Sequence, residues 1–111
     1  MYKLYRVDIE KSQEIFRRIK EFSKKLKKEL PVKEVYLYGS FAEGNFHQGS
    51  DIDLIVIGDF KERFFERIGK ILELTDLPVE PLAYTQAEFD EFIRSNNPFI
   101  INVMKKAIRV E

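Results

Sequence analysis

Residues 35–57 read VYLYGSFAEGNFHQGSDIDLIVI, and the order of residue types in this stretch decides the fold. Val35 to Tyr38 are β-branched, aromatic or aliphatic, a strand signal that stops at Gly39. Ile52 to Ile57 is apolar save for Asp53, which fits a strand buried on both faces. Side chains alternate along a strand, so Asp51 and Asp53 are expected on one face. Two carboxylates that close repel, and each raises the other's pKa unless a cation lies between them. A hard divalent ion, Mg²⁺ before Ca²⁺, is the natural neutraliser, and Mg²⁺ commonly shares its remaining positions with substrate phosphates.

Gly39-Ser40 supplies the facing half. A glycine at a strand end lets the backbone approach a ligand closely. Ser40, with Glu43 three residues on, reads as a capping box that opens a short helix. The free N–H groups of that helix start would face a phosphate. Taken singly, Ser40 reads as a turn cap and the Asp pair as a strand cap. Strand, Gly-Ser, loop, Asp-x-Asp and strand together point to a site for a metal ion and a phosphate.

The segment GSFAEGNFHQGSDIDLIVI, residues 39–57, resembles the signature of the DNA polymerase β-type nucleotidyltransferase superfamily. It is most similar to the minimal nucleotidyltransferases, small proteins often paired with a HEPN-domain partner. The likeness rests on the Gly-Ser step, the ten residues between Ser40 and Asp51, and the Ser-Asp-x-Asp-apolar run. It implies an α+β protein in which a small mixed β-sheet has helices packed on one side, the polymerase β-type nucleotidyltransferase fold. It also implies Mg²⁺-dependent transfer of a nucleoside monophosphate, AMP from ATP foremost, to a hydroxyl, with release of pyrophosphate. Carried over by position, Gly39 and Ser40 would bind the β and γ phosphates of the NTP. Asp51 and Asp53 would hold the nucleotide's Mg²⁺. Asp53 and Glu80 would hold a second Mg²⁺ that activates the acceptor. Asp51, Asp53 and Glu80 are therefore the expected catalytic and metal-binding residues.

In HEPN-paired relatives the small transferase is an antitoxin that adds AMP to a tyrosine of an RNase-like toxin. The resemblance implies such a toxin partner here. An antitoxin acting by binding alone is the alternative, and Glu43 speaks for it. Many relatives carry Arg near Phe41 or Glu43, and an acid there weakens triphosphate binding. The third acid is Glu rather than Asp, and its longer side chain shifts a metal by about an ångström, a change to which catalysis is sensitive. Haloacid-dehalogenase-type phosphatases and many glycosyltransferases place Asp-x-Asp at the end of an apolar strand. Here the apolar run follows the pair, which argues against both.

The remaining sequence sets bounds. A chain of 111 residues with 44% hydrophobic content and ten Phe suits one domain, 1–111, with a sizeable core. The absence of cysteine excludes disulfides, thiolate metal sites and thiol nucleophiles. No apolar run approaches the roughly 18 residues of a membrane span, and MYKLYRVDIE lacks a signal-peptide core. The expectation is a cytoplasmic protein. Net charge is zero but uneven, with 11 Lys+Arg against 7 Asp+Glu in residues 1–50 and 8 against 12 in residues 51–111. That split fits a homo-oligomer, a charged partner, or solubility alone.

Residues 1–10 read as a short strand or an arm. Ile15, Phe16, Ile19, Phe22, Leu26 and Leu30 recur at helical spacing from Ser12 to Leu30, and Pro31 ends that helix. Its outer face is basic, a pattern of solvated helices and, less often, of nucleic-acid or acidic-partner surfaces. Asp59 and Glu62 read as a capping box for a helix over 60–74, buried through Phe64, Phe65, Ile68, Ile71 and Leu72, with Gly69 in mid-helix. Val79 to Tyr84 reads as a strand that Pro81 assigns to an edge or a bulge. Spacing alone leaves Glu80 as either a third carboxylate or an exposed edge residue, and the resemblance favours the former. Thr85 and Glu88 form another capping box, for a helix to Arg94. Asn97 and Pro98 open the last helix, with Phe99, Ile100, Val103, Met104 and Ala107 on its apolar face, and IRV reads as a closing strand. His47 reads as solvated, Tyr38 as core rather than a base-stacking platform, and Phe41 and Phe46 as either tucked under the loop or exposed.

Overall fold

Pro31 separates a long helix, α1 (Tyr2–Glu29), from the first strand, β1 (Val32–Tyr38). There follow α2 (Ser40–Glu43), β2 (Ile52–Gly58), α3 (Phe64–Leu72), β3 (Val79–Tyr84), α4 (Gln86–Arg94), α5 (Pro98–Lys106) and β4 (Ile108–Val110). The computed structural model describes residues 2–46 and 49–111, with side chains of α1 described from Gln13 onward. His47 lies outside the described residues.

The four strands form one mixed sheet in the order β3-β2-β1-β4. β1 runs antiparallel to β2 and to β4, whereas β2 and β3 are parallel. The parallel pair needs a crossover, and α3 supplies it. Pro81 sits on β3, which is an edge strand, as its missing N–H requires.

Strand alternation splits the apolar residues between two faces. Val35, Leu37, Ile52, Leu54 and Val56 face the larger core with Ile19, Phe22 and Leu26 of α1, Phe41 of α2 and Ile71 of α3. Ile55 and Ile57 face a smaller core with Phe89 of α4 and Ile100 of α5, flanked by Tyr36, Tyr38, Leu82 and Tyr84. Helices therefore cover both faces of this α+β sheet, a correction to the expected one-sided packing. The continuous run Leu54 to Ile57 carries the cause, because a strand that is apolar on both sides needs a cover on each.

Three local expectations also change. Residues 2–10 are helical rather than a strand or arm, since no Gly or Pro stands before Pro31 to interrupt α1. Asp59 and Glu62 do not cap a helix at residue 60. Phe60 is buried, Asp59 pairs with Lys33 at 3.2 Å, Glu62 reaches forward to Lys70, and α3 begins only at Phe64. On α3, Phe65 is 82% exposed and the residue that turns inward is Arg67.

Arg67 is accommodated because all its sides find partners. It donates to the carbonyls of Glu62 at 2.7 Å and Ala83 at 3.1 Å, pairs with Glu88 at 2.6 Å, and lies over the Phe60 ring. One side chain thereby ties α3, β3 and α4 together. Glu88 also completes the capping box with Thr85, and Asn97 caps α5 ahead of Pro98 as expected.

Two stability outcomes follow from this geometry. A Cβ added at Gly69 meets nothing within 4 Å. Gly69→Ala should raise thermal stability by about 1 kcal/mol in calorimetry, the helix-propensity gain. Arg67 holds the Glu88 carboxyl below the ordinary value of 4.5. A depressed carboxylate contributes stability above that value and loses it as pH falls through the folded-state pKa. Glu88→Gln keeps a capping-box side chain. It should cost about 1 kcal/mol in urea unfolding at neutral pH, discounted because Glu88 is 44% exposed. It should also flatten the loss of stability below about pH 4.5.

Candidate active site

The first residue of the site is set by the ladder. Asp53 lies opposite Tyr38 on β1 and opposite Glu80 on β3. Residues paired across strands point to the same face, so Tyr38, Asp53 and Glu80 form one row across three strands. This is the face that carries Ile55 and Ile57, and farther along it α4 and α5 provide the cover. Asp51 lies two residues back from Asp53, one residue before β2 begins.

The electrostatics confirm that the three acids feel one another. The Asp53 carboxyl is pushed up by burial and by the charge of Asp51, while a hydrogen bond from Glu80 opposes the shift. Glu80 is pushed up chiefly by its hydrogen bond and charge contact with Asp51, and further by Asp53. No basic side chain is among the groups acting on either acid. Among the described residues no three acidic or histidine side chains are closed into a ready ligand set. Asp51, Asp53 and Glu80 are an open cluster of carboxylates, the oxygen donors that a hard divalent cation takes.

Gly39 borders the row. Its backbone, at φ 74° and ψ −151°, lies in a region essentially reserved for glycine. A Cβ there would sit 2.4 Å from Asp53 Oδ2. Glycine at this position therefore serves both the turn and the carboxylate behind it. Ser40 opens α2, but the expected Ser40–Glu43 capping box does not form: Gly39 is the cap and no side chain bonds to the helix start. Glu43 instead reaches Lys106 of α5 at 3.2 Å. Phe41 is buried and stacks on Phe46 with centroids 4.4 Å apart, and Phe16 meets both rings edge-on. That trio settles the loop phenylalanines as inward-facing.

Sequence reasoning missed Lys106, and it read Tyr38 as core without placing it beside the acids. Lys106 lies 63 residues from Glu43, and only the folding of α5 along the sheet joins them. Tyr38 is half-buried, and burial together with Asp53, Tyr84 and Glu80 pushes its hydroxyl pKa up to about 12.

A mixed sheet that presents a row of acids beside a Gly-Ser turn is the layout of a nucleotidyltransferase. The chain belongs to that family, since the profile described as "Nucleotidyltransferase domain" matches residues 19–110. Among curated proteins it is similar to a "Putative protein adenylyltransferase" of Methanocaldococcus jannaschii, at 42% identity over 43 residues. The match spans 37% of this chain and 43% of that relative, less than half of its length. Among solved structures it is similar to a "putative nucleotidyltransferase from Sulfolobus solfataricus", with a TM-score of 0.62 and 24% identity over 75% of this chain and 78% of that one. It also matches a chain of a toxin-antitoxin crystal structure with AMP-PNP, with a TM-score of 0.55 and 19% identity over 86% and 72% of the two chains. At these identities the two structures speak for the fold.

Gly39→Ala tests the packing of the turn on Asp53. The added methyl must displace the carboxylate, and a displacement near an ångström costs about a hundredfold in rate. Nucleotidyl transfer should fall by that order while far-UV circular dichroism stays native. Unchanged transfer would remove Asp53 from the working site.

Proposed function

We propose that this chain transfers AMP from ATP to a hydroxyl of a partner protein, a tyrosine of a HEPN-type toxin, and thereby acts as its antitoxin. The observation that carries this reading is the row Asp51, Asp53 and Glu80 beside Gly39-Ser40. The name of the Methanocaldococcus relative and the toxin-antitoxin neighbour with AMP-PNP support the substrate and the setting.

In this mechanism Gly39 and Ser40 would hold the β and γ phosphates, and Asp51, Asp53 and Glu80 would hold Mg²⁺. Bound there, Mg²⁺ would neutralise the phosphates and lower the pKa of the acceptor hydroxyl. Glu80 stands on the edge strand, where an acceptor can reach it, and takes the hydroxyl proton. The hydroxyl oxygen bonds to the α-phosphorus, the bond from that phosphorus to the β-bridging oxygen breaks, and pyrophosphate leaves. Positioning and charge stabilisation supply most of the acceleration in such transfers. The Lys106 ammonium beside Glu43 offsets the acid that would repel a triphosphate, which favours the active reading over binding alone.

The test uses ATP labelled on the α-phosphate, Mg²⁺ and the product of the adjacent gene. Label should pass to that protein with the wild-type chain and not with Asp53→Ala, a loss of at least about a hundredfold. Equal labelling by both would refute the site. A tight complex that silences the partner without labelling would replace transfer by binding.

A further inference from the structure

Phe99 was expected on the buried face of the last helix, yet it is 48% exposed while Ile100 beside it is buried. Its ring stands edge-on to Tyr38, with centroids 6.1 Å apart and planes at 86°. Tyr38 directly precedes Gly39 and lies opposite Asp53 in the ladder. An aromatic pair therefore borders the acid row, with one ring anchored in the sheet and the other open to solvent.

The two sides of Asp53 differ in chemistry. On the β3 side stands Glu80, on an edge strand. On the β1 side stand Tyr38, Gly39 and Ser40, with Phe99 of α5 edge-on to Tyr38. The β1 side thus offers an exposed ring close to the residues that would take the phosphates, and the β3 side offers an open edge. An exposed phenylalanine face is costly in water and binds any planar ring through stacking.

We propose that Phe99, backed by Tyr38, is the nucleobase seat of this chain, a stacking subsite for the purine ring of an NTP. The proposal rests on the reading of Gly39-Ser40 and the acid row as the nucleotide site, and deepens it. Phe99 is a positioning residue that touches the base and not the reacting atoms. Stacking reads shape more than hydrogen-bond pattern, so the seat tolerates adenine and guanine alike.

The experiment compares two probes in the presence of Mg²⁺: an ATP analogue with a methylene between the α and β phosphates, and inorganic tripolyphosphate. Calorimetry gives both affinities for the wild type, Phe99→Ala and Phe99→Tyr. Phe99→Ala should weaken the ATP analogue by about tenfold or more, the usual scale of base stacking, and leave tripolyphosphate unchanged. Phe99→Tyr should restore the affinity, and a GTP analogue should behave as the ATP analogue does. If Phe99→Ala binds the ATP analogue as the wild type does, or weakens both probes alike, the seat is refuted while the nucleotide site stands. If the wild type binds neither probe, the site and the seat fall together.

Discussion

Asp53 has one acid across the ladder and another two residues back along its own chain, and main-chain hydrogen bonds hold it beside the first. The ladder places Glu80 directly opposite it, and Asp51, one residue before β2, acts on both acids. Glu80 cannot be relaxed away without slipping a strand, and a slip of one residue would turn every core side chain of β2 to the wrong face. The sheet thus concentrates negative charge where, among the described residues, no basic side chain acts on Asp53 or Glu80. Such an arrangement is costly for the protein alone and favourable only when a cation or a proton joins the acids. The fold maintains this liability, and the candidate chemistry is built on it.

The surrounding structure serves that constraint. The larger core grips one face of the sheet through α1, α2 and α3. The smaller core covers only part of the other face, around Ile55 and Ile57, and leaves the acid row beyond its edge. Arg67 fixes α4 against α3 and β3, so this partial cover is held in place by a buried guanidinium as well as by apolar contact. Gly39 has no side chain to lose, and Asp53 occupies the space that a Cβ would take. The face packed on the larger core and the face that bears the acids are in this way separate faces of the same strands.

Much of this was legible in residues 35–57, because strand period, the Gly-Ser break and the Asp spacing are local signals. The edge position of β3 could be read from Pro81, and the caps at Thr85 and Asn97 from short-range hydrogen-bond chemistry. What escaped depended on distant partners. The Asp59–Glu62 pattern fits a capping box as well as any, but Lys33 and Lys70 compete for those carboxylates and Phe60 is drawn into the core. The inward turn of Arg67 required Glu88, 21 residues away. Helical period alone placed Phe65 and Phe99 inside, whereas the sheet has room for only part of each helix face. The acid at position 43 read as a defect of a phosphate site until α5 brought Lys106 to it.

The central claim is that Asp51, Asp53 and Glu80 close around a divalent cation next to Gly39-Ser40. A crystal grown with Mn²⁺ and an ATP analogue that cannot release pyrophosphate tests it most directly, through the anomalous signal of the metal. The account predicts a peak in contact with carboxylate oxygens of Asp51 and Asp53, with triphosphate oxygens completing the shell and the β and γ phosphates at Gly39-Ser40. A nucleotide bound elsewhere, or a metal held without Asp53, would contradict it.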